Sequence, residues 1–298
     1  MPAAPPPGVG GGSVRSALKA ALGGVGLLAL ARRARDALVA VGWLRHNRRF
    51  LRGSGGDGLP VPSARLRILT TASPSVEWFV ESGREAANSI REQLERHRVP
   101  IAEIGQLLDF GCGCGRVVRH WANCPAMVHG CDYNADLVNW CRRRLPFARF
   151  ETNGLAPPLP YAAASFDLVY ALSVFTHLPP PLQQQWIAEI ARVLRPGGYL
   201  IVSTHGEAYL DTLDEVERRD FRAGRLVVRH HHEAGSNRCG VFFSEDYVRR
   251  AFGPRFVVCD YAPRGARGNP PQDLVLLQAA LHGRVDSAPP HTETLPSR

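Results

Sequence analysis

Two kinds of apolar pattern alternate along the middle of the chain. Short, nearly continuous apolar runs are typical of strands buried on both faces of a sheet. Between them, apolar positions recur every three or four residues, as in Trp186, Ile190 and Leu194, which predicts helices at 135–145 and 182–194. The predicted strands are 107–110, 128–132, 148–152, 165–172, 199–204, 255–261 and 274–277. This alternation predicts an α/β fold with a seven-stranded, mostly parallel sheet whose last two strands pair antiparallel.

Helical patterns also precede the first strand. Ser73 or Ser75 is a candidate N-cap for a helix with Val76, Phe79 and Val80 on one side. A second helical run is predicted at 86–97, before Pro100. We therefore expect two helices ahead of the sheet.

The stretch 107–115 joins the first strand to a glycine-rich turn. Asp109 ends the apolar run, and glycine then occupies every second position from Gly111 to Gly115. Glycines at such a turn let the backbone approach a ligand closely. A dinucleotide fingerprint would need a third glycine at the position of Arg116, which disfavours a nicotinamide oxidoreductase. Apolar residues resume at Val117 and predict a helix after the turn.

A second acid follows at the end of the next predicted strand. Asp132 lies 23 residues after Asp109, close to the position where an acid binds a ribose diol in nucleotide-binding folds. The alternative is an ordinary surface aspartate at a strand end. Because both acids follow strands of a parallel sheet, we expect them at the same edge.

These motifs carry a family resemblance. The D-x-G-x-G-x-G pattern at 109–115 resembles the first motif of class I S-adenosylmethionine-dependent methyltransferases. The later succession of strand, SVFTHL at 173–178, helix, LRPGG at 194–198 and strand resembles the second half of their core. The ending GNPPQDLVLL at 268–277 is similar to bacterial members of unassigned substrate. The resemblance implies a doubly wound, Rossmann-like sheet and S-adenosylmethionine as the cofactor.

The resemblance also implies a set of cofactor-binding residues. In the family, the side chain after the second acid, here Tyr133, lies over the adenine ring, and the residue equivalent to Asn153 meets the adenine amino group. Helices before the core fold over the cofactor, so Trp78, Phe79 and Arg84 are either pocket residues or simple cover for the sheet. The cofactor-binding residues expected from the resemblance are Asp109, Gly111, Cys112, Gly113, Asp132, Tyr133, Asn153, Gly154, Leu155 and Ser173.

Histidines at strand ends are the candidate catalytic groups. A hydroxyl acceptor would need a base whose pKa is near neutrality, and His205 and His177 are the candidates. A structural role is the alternative for both. The run of three histidines at 230–232 cannot direct all three rings at one ion from a regular strand, so no metal site is expected.

Charge and cysteine usage narrow the class of partner. The formal net charge is +9, but residues 1–67 carry 11 basic and 2 acidic groups, and the remainder carries 25 of each. A balanced catalytic domain disfavours nucleic acid as the substrate. The seven cysteines contain no C-x-x-C pair, so neither disulfides nor zinc are expected, as in a reduced, cytoplasmic protein. The scarcity of lysine indicates a GC-rich, bacterial genome.

The N-terminal segment has its own character. Residues 20–31 are apolar and lie between basic groups, but 12 helical residues span only about 18 Å, too short for a bilayer core of about 30 Å. Peripheral membrane contact through residues 14–52 and an ordinary surface helix both stay open. We expect a partly disordered basic arm at 1–58, a methyltransferase domain at 59–283 with a substrate cap at about 205–254, and a loose tail at 284–298.

The function expected from these features is methyl transfer to an oxygen atom of a small molecule. A nucleic-acid-directed or membrane-associated methyltransferase and a non-catalytic cofactor-binding module are the alternatives. The oligomeric state is not indicated by the sequence.

Overall fold

The computed structural model describes residues 27–53 and 56–281. These residues form two compact units. The first contains Val61–Val76 and the described residues before Asp57, and the second contains Asp57–Pro60 and the described residues from Glu77 onward. The predictions made for residues 1–26 and for the tail at 284–298 lie outside the described residues.

A seven-stranded sheet is the centre of the second unit. Its strands are β1 Gln106–Phe110, β2 Met127–Asp132, β3 Ala148–Thr152, β4 Phe166–Ala171, β5 Leu194–Thr204, β8 Phe256–Ala262 and β9 Asp273–Ala279. They lie in the order β3-β2-β1-β4-β5-β9-β8, and β1 to β5 pair in parallel. The predicted doubly wound, mostly parallel sheet is confirmed.

The last two strands pair antiparallel, as expected, but β9 lies inside the sheet between β5 and β8. Leu274 to Leu277 are all essentially buried, and β9 has a hydrogen-bonded strand on each side. This reversal brings the beginning of β9, rather than its end, to the edge where β5 finishes. Asp273 is paired with Thr204 in the register.

Helices flank the sheet and alternate with its strands. In the whole chain, the described helices are α1 Leu27–Gly42, α2 Leu44–Arg52, α3 Ala64–Thr71, α4 Val76–Arg96, α5 Ala135–Arg144, α6 Pro180–Val193, α7 Glu215–Arg222 and α8 Glu245–Phe252. Helices α5 and α6 match the predicted ones. Ser244 caps α8, and its hydroxyl accepts from the N–H of Tyr247.

Two local predictions differ from the structure. The two helices expected ahead of the sheet are one continuous helix, α4. Gly83 in its middle does not break it, because this glycine packs directly against the backbone of Arg116, where a Cβ would lie 2.0 Å from the carbonyl oxygen. After the glycine turn, the expected helix is only a single 3-10 turn, Val118–Trp121.

The segment between β5 and β8 forms an addition at one edge. It holds α7, α8 and a small antiparallel hairpin of β6 Val227–Arg229 and β7 Gly240–Phe242. His205, directly after β5, forms an isolated bridge with Phe242 of β7. The hairpin is thereby attached to the end of β5.

The first unit contains α1 to α3. The Asn47 side chain donates to the carbonyl of Pro74 and accepts from the N–H of Val76. The Arg67 guanidinium donates to the carbonyls of Pro62 and Pro74. Within the described residues, no helix combines the length and apolar character needed to cross a membrane.

Candidate active site

The two acids that end β1 and β2 lie at one edge of the sheet. The strands are parallel neighbours, with Asp109 paired to Gly130 and Phe110 to Cys131. Asp132 then extends one residue beyond this pairing. Both carboxylates are almost fully buried; this burial, and to a smaller extent the negative charge of Asp132, raises the pKa of Asp109. The predicted convergence of the two acids is therefore present in the structure.

The glycine turn is built against the end of β2. The N–H groups of Gly111 and Cys112 both donate to the carbonyl of Cys131, at 2.8 and 3.0 Å. Gly111, Gly113 and Gly115 have φ values of +84°, +54° and +81°, in the left-handed region that favours glycine. At Gly111 a Cβ would also lie 2.4 Å from a methyl of Val174. Both the backbone conformation and the close approach therefore require glycine at 111.

Asp132 holds the turn through its carboxylate. One oxygen accepts from the N–H of Gly113 at 3.0 Å, and the other accepts from the N–H of Asn134 at 2.8 Å. Burial raises the pKa of Asp132, while these two backbone donors act in the opposite direction. Each carboxylate oxygen keeps a second lone pair for a further donor.

Asp109 is the more perturbed acid. Burial raises its pKa to about 7, although a hydrogen bond with Tyr170 and the positive charge of Arg116 oppose the change. Its Oδ2 atom is buried without a hydrogen-bond partner. A buried carboxylate oxygen without a donor is costly unless a ligand supplies one.

The residues expected around adenine lie next to Asp132. The N–H of Asn153 donates to the Asp132 carbonyl at 3.2 Å, which places Asn153 and Gly154 beyond the end of β3. The side-chain oxygen of Asn153 is buried without a partner, while its amide nitrogen donates to the Gly154 carbonyl. An unpaired acceptor beside the acid fits an amino group as ligand.

Tyr133 and Leu155 contact the segment between β6 and β7. The Tyr133 hydroxyl donates to the carbonyl of Gly235 at 2.9 Å. A Cβ at Gly235 would lie 2.5 Å from the Leu155 side chain. The N–H of Gly235 donates to the carbonyl of His177 at 2.8 Å. Gly235 thus lies between the expected adenine site and a candidate catalytic histidine.

The two histidines lie side by side, with ring centroids 6.2 Å apart. Each ring donates one hydrogen bond to a backbone carbonyl. His177 Nδ1 lies 2.6 Å from the oxygen of Cys239, just before β7, and His205 Nδ1 lies 3.1 Å from the oxygen of Val241, within β7. Carbonyl oxygens only accept, so both rings carry the proton on Nδ1. Burial lowers the pKa of His177 and, together with the charge of His177, lowers that of His205 to about 4.

The two histidines differ at the other ring nitrogen. His205 Nε2 lies 3.2 Å from the amide nitrogen of Gln272, and its ring is also 4.4 Å from that of Tyr209. His177 has no such hydrogen bond at Nε2 among the described contacts. Of the two, His177 is therefore the one whose Nε2 lone pair is available to a substrate.

Ser173 lies at the end of β4 with a φ of +57°. Its N–H donates to the Ser203 hydroxyl at 2.7 Å, and its own hydroxyl lies within hydrogen-bond distance of the Gln272 side chain. The Ser173 side chain is thus engaged by the protein, so its N–H and hydroxyl serve first to shape the turn after β4.

The helix before the core places its three candidates differently. Phe79 is fully buried beneath the guanidinium of Arg119, at 5.4 Å from the ring centroid. Arg84 pairs with Glu81 on the same helix, and Trp78 is 43% exposed. These contacts place Phe79 in the cover of the sheet.

Two residues of the site were missed by the sequence reasoning. Arg116 is almost fully buried, and it donates to the Ser82 and Gly268 carbonyls and to the Asn269 side chain. Gln272, just before β9, is 1% exposed and contacts His205. The signal for Gln272 was available: the start of an antiparallel strand meets the same edge as the ends of its parallel neighbours.

The histidine run does not form a metal site. His231 and His232 belong to a 3-10 turn, and His230 precedes it with a φ of +52°. Within residues 27–53 and 56–281, no group of three or more His, Cys, Asp or Glu side chains is arranged to hold a metal ion.

Comparison with known proteins adds independent observations. A family model described as a methyltransferase domain matches residues 108–202. An uncharacterized methyltransferase of Synechocystis sp. is 30% identical over 145 residues, which are 46% of this chain and 68% of that protein. A fatty-acid O-methyltransferase of Mycolicibacterium smegmatis is 39% identical over 99 residues, 32% of this chain and 35% of that protein.

The chain thus spans about a third of the length of one relative and two thirds of the other. Among solved structures, the PH0226 protein from Pyrococcus horikoshii OT3 is similar in fold, with a TM-score of 0.50 at 19% identity, over 72% of this chain and 97% of that one. The matched family segment contains both acids, the glycine turn and His177.

Proposed function

Because this chain belongs to the class I S-adenosylmethionine-dependent methyltransferases, we propose that it transfers a methyl group to an oxygen atom of a small molecule. The observation that carries the proposal is the pair of acids at the glycine turn, together with a histidine that has an available Nε2. S-adenosylmethionine supplies the methyl group on a sulfonium centre that its own positive charge activates. The protein has to bind this cofactor, orient the acceptor and remove a proton.

The residues present fit the cofactor. Asp109 and Asn153 each keep a buried side-chain oxygen without a partner, and these atoms require donors. We assign Asp109 to the ammonium group, Asn153 to the adenine amino group and Asp132 to the ribose hydroxyls. The backbone of Gly111 and Gly113 forms the surface on which the cofactor lies, and Cys112, Gly154 and Leu155 complete the same edge.

His177 is the group that we assign to proton removal. The Cys239 carbonyl fixes its proton on Nδ1, so Nε2 is left as an acceptor. A hydroxyl acceptor loses its proton as its oxygen attacks the methyl carbon, and His177 can take that proton at Nε2. His205, whose Nε2 faces a donor, is assigned a supporting position instead.

Oxygen as the acceptor atom is supported by one comparison, and a small molecule as the substrate is supported by the charge of the chain. The relative from Mycolicibacterium smegmatis is named as a fatty-acid O-methyltransferase. The part of the chain after residue 67 has equal numbers of acidic and basic groups, without the excess of positive charge that polyanionic substrates attract. We therefore propose a small molecule that enters beneath residues 205–254, the cap.

The test has two stages. Calorimetric titration of the full chain with S-adenosylmethionine should give one site per chain, and failure to bind would refute the assignment. Turnover is then followed as S-adenosylhomocysteine formation with a panel of carboxylic acids, phenols and aliphatic alcohols. His177→Gln should lower kcat about 10²- to 10⁴-fold on a hydroxyl acceptor, with little change in cofactor affinity. Binding without turnover on any acceptor would favour the non-catalytic module.

A membrane contact through the first unit is the second proposal. Leu44 and Leu51 are about half exposed on α2, and Leu38 of α1 is 75% exposed. Helix α2 also carries four arginines without an acidic partner among the described residues: Arg45, Arg48, Arg49 and Arg52. Exposed apolar side chains beside arginines favour an anionic lipid surface.

Sedimentation with vesicles tests this contact. The full chain should bind vesicles containing phosphatidylglycerol, should bind neutral phosphatidylcholine vesicles less, and should dissociate at high salt. Replacing the four α2 arginines by glutamine should abolish binding. A control with the same change of charge replaces exposed arginines of the second unit, Arg143, Arg144, Arg219 and Arg222. Equal loss in both variants would refute a specific role for α2.

A further inference from the structure

A chain of hydrogen bonds crosses the site from the end of β4 to the cap. The N–H of Ser173 donates to the Ser203 hydroxyl at 2.7 Å. The Ser203 hydroxyl donates in turn to Oε1 of Gln272, also at 2.7 Å. Gln272 Nε2 lies 3.2 Å from His205 Nε2, and His205 Nδ1 donates to the carbonyl of Val241.

Every donor and acceptor in this chain is fixed by its neighbours. The N–H of Ser173 can only donate, so the Ser203 hydroxyl accepts there, and it directs its own proton to Gln272 at 2.7 Å. That bond identifies the Gln272 atom facing Ser203 as the amide oxygen, and the NH₂ group then faces His205. Since an NH₂ group only donates, His205 Nε2 must be an acceptor without a proton. The Val241 carbonyl independently requires the proton on Nδ1, so both ends of the ring agree.

We propose that Gln272 is a positioning residue that holds His205 as a neutral hydrogen-bond acceptor and leaves His177 as the only histidine of the pair that accepts a proton. The Gln272 NH₂ group already donates to Nε2 of His205, so protonation there would require Gln272 to turn away. Gln272 is 1% exposed and is held by two serines, which opposes such a rotation. The effect on turnover rests on the proposed methyl transfer, whereas the state of the ring does not.

Because the two rings are close together, the protonation state of His205 affects the protonation of His177. Their centroids are 6.2 Å apart, and a positive charge on either ring disfavours a charge on the other. A protonated His205 would therefore reduce the ability of His177 to take the proton from the acceptor. The other titratable groups around His205 are Tyr209, whose ring lies 4.4 Å away, and Asp273 at the start of β9. The Asp273 carboxylate is already occupied by the Tyr261 hydroxyl and the N–H of Arg264.

The first experiment records ring ¹⁵N signals of the full chain labelled at histidine, without cofactor or acceptor. His205, assigned by comparison with His205→Asn, should show the Nδ1–H tautomer and stay neutral down to about pH 5. Gln272→Glu preserves the shape but replaces the donor by a carboxylate. We expect the protonation midpoint of His205 to rise by about 1 to 3 pH units in this variant.

A matched control and a second variant keep the test decisive. Gln278 lies in β9, the strand that follows Gln272. Its side chain donates to the Gly197 carbonyl and to the Tyr199 hydroxyl, at the opposite edge of the sheet. Gln278→Glu should leave the His205 signal unchanged. Gln272→Met, which has neither donor nor acceptor, should keep the Nδ1–H tautomer that the Val241 carbonyl fixes, but it should raise the protonation midpoint of His205 because Nε2 no longer faces a donor. An Nε2–H tautomer in the wild type, or an unchanged His205 midpoint in Gln272→Glu, would overturn the proposal.

Turnover supplies a readout that a purely structural role would not move. With an accepted hydroxyl substrate, the wild type should show one acidic limb in the pH profile of kcat/KM. Gln272→Glu should shift this limb and lower kcat while the dissociation constant of S-adenosylmethionine stays within about threefold. Failure to find any turnover would refute the proposed function but would leave the ring measurements as the test of Gln272. A lower cofactor affinity with an unshifted limb would instead refute positioning through His205.

Discussion

The carboxylate of Asp132 accepts a hydrogen bond from the N–H of Gly113 at 3.0 Å. These two residues belong to different motifs, one at the end of β2 and one in the glycine turn after β1. Their bond makes the second acid a part of the turn that it faces. Asp132 therefore shapes the turn, and its carboxylate oxygens keep the lone pairs that the proposed ribose contact requires.

Asp132→Ala should weaken binding of S-adenosylmethionine by about 1 to 3 kcal/mol, since a charged acceptor is lost. Calorimetric titration measures the change directly. The exposed Asp246, in the first turn of α8, supplies the control variant Asp246→Ala, which should bind the cofactor like the wild type. If Asp132→Ala and the wild type bound S-adenosylmethionine with equal affinity, the assignment of Asp132 to the ribose hydroxyls would be refuted.

Gly111→Ala should destabilise the protein and prevent cofactor binding. A Cβ at this position would lie 2.4 Å from Val174, and the left-handed backbone adds about 1 to 2 kcal/mol of strain. The double variant with Val174→Ala should regain the part of the stability lost to the clash but not the part lost to the backbone. Urea unfolding measures both contributions.

Gly42→Ala is the control for this pair, because no atom lies within 4 Å of the position that its Cβ would take. Its free energy of unfolding should not fall. Complete recovery of stability in the double variant would contradict this prediction, because it would show that an alanine at 111 adopts the positive φ without a cost in free energy.

Asp109→Asn should make stability less dependent on pH. Burial raises the pKa of Asp109 from 3.8 to about 7, so between these values the folded protein keeps a proton that the unfolded chain has lost. Wild-type stability therefore falls as pH rises through this window, and the loss is complete above pH 7. Between pH 5 and pH 8 the variant should gain about 2 to 3 kcal/mol relative to the wild type.

Guanidinium unfolding of both proteins at several pH values measures this difference. The exposed variant Asp246→Asn should follow the wild type at every pH. A constant difference between Asp109→Asn and the wild type would mean that the Asp109 carboxylate titrates at its ordinary value when folded.

Tyr133→Phe should loosen the segment between β6 and β7. The Tyr133 hydroxyl donates to the Gly235 carbonyl at 2.9 Å, and one such bond contributes about 0.5 to 1.5 kcal/mol. Amide hydrogen exchange should rise at residues 235–239 by roughly two- to tenfold. Tyr161→Phe is the control, because the Tyr161 hydroxyl is buried without a partner. Equal exchange in all three proteins would show that the Tyr133 hydroxyl does not hold this segment.

The strands were predictable from the sequence because burial on both faces demands a continuous apolar run. Thus Phe166–Ala171 lies inside the predicted 165–172. The edge strand β3, where only Phe150 is buried, was also predicted with its bounds, 148–152. The helices before and after the glycine turn were harder to predict from the sequence. Two helical runs were predicted where the structure has the single helix α4, and the contact of Gly83 with the Arg116 backbone makes glycine a packing requirement inside it. Val117 and Val118 predicted a helix, but a single 3-10 turn is enough to bury both side chains.

The sequence by itself determined the family, the order of the elements and the two acids at strand ends, because these follow from local apolar periodicity and from motif spacing. Only the tertiary structure distinguished His177 from His205, which the sequence presented together as candidates, because it shows which atoms face their ring nitrogens. Their difference depends on Gln272, Cys239 and Val241, which are distant in the chain. A proton's place on an imidazole ring depends on which atoms face its two nitrogens, and that is a property of the folded chain alone.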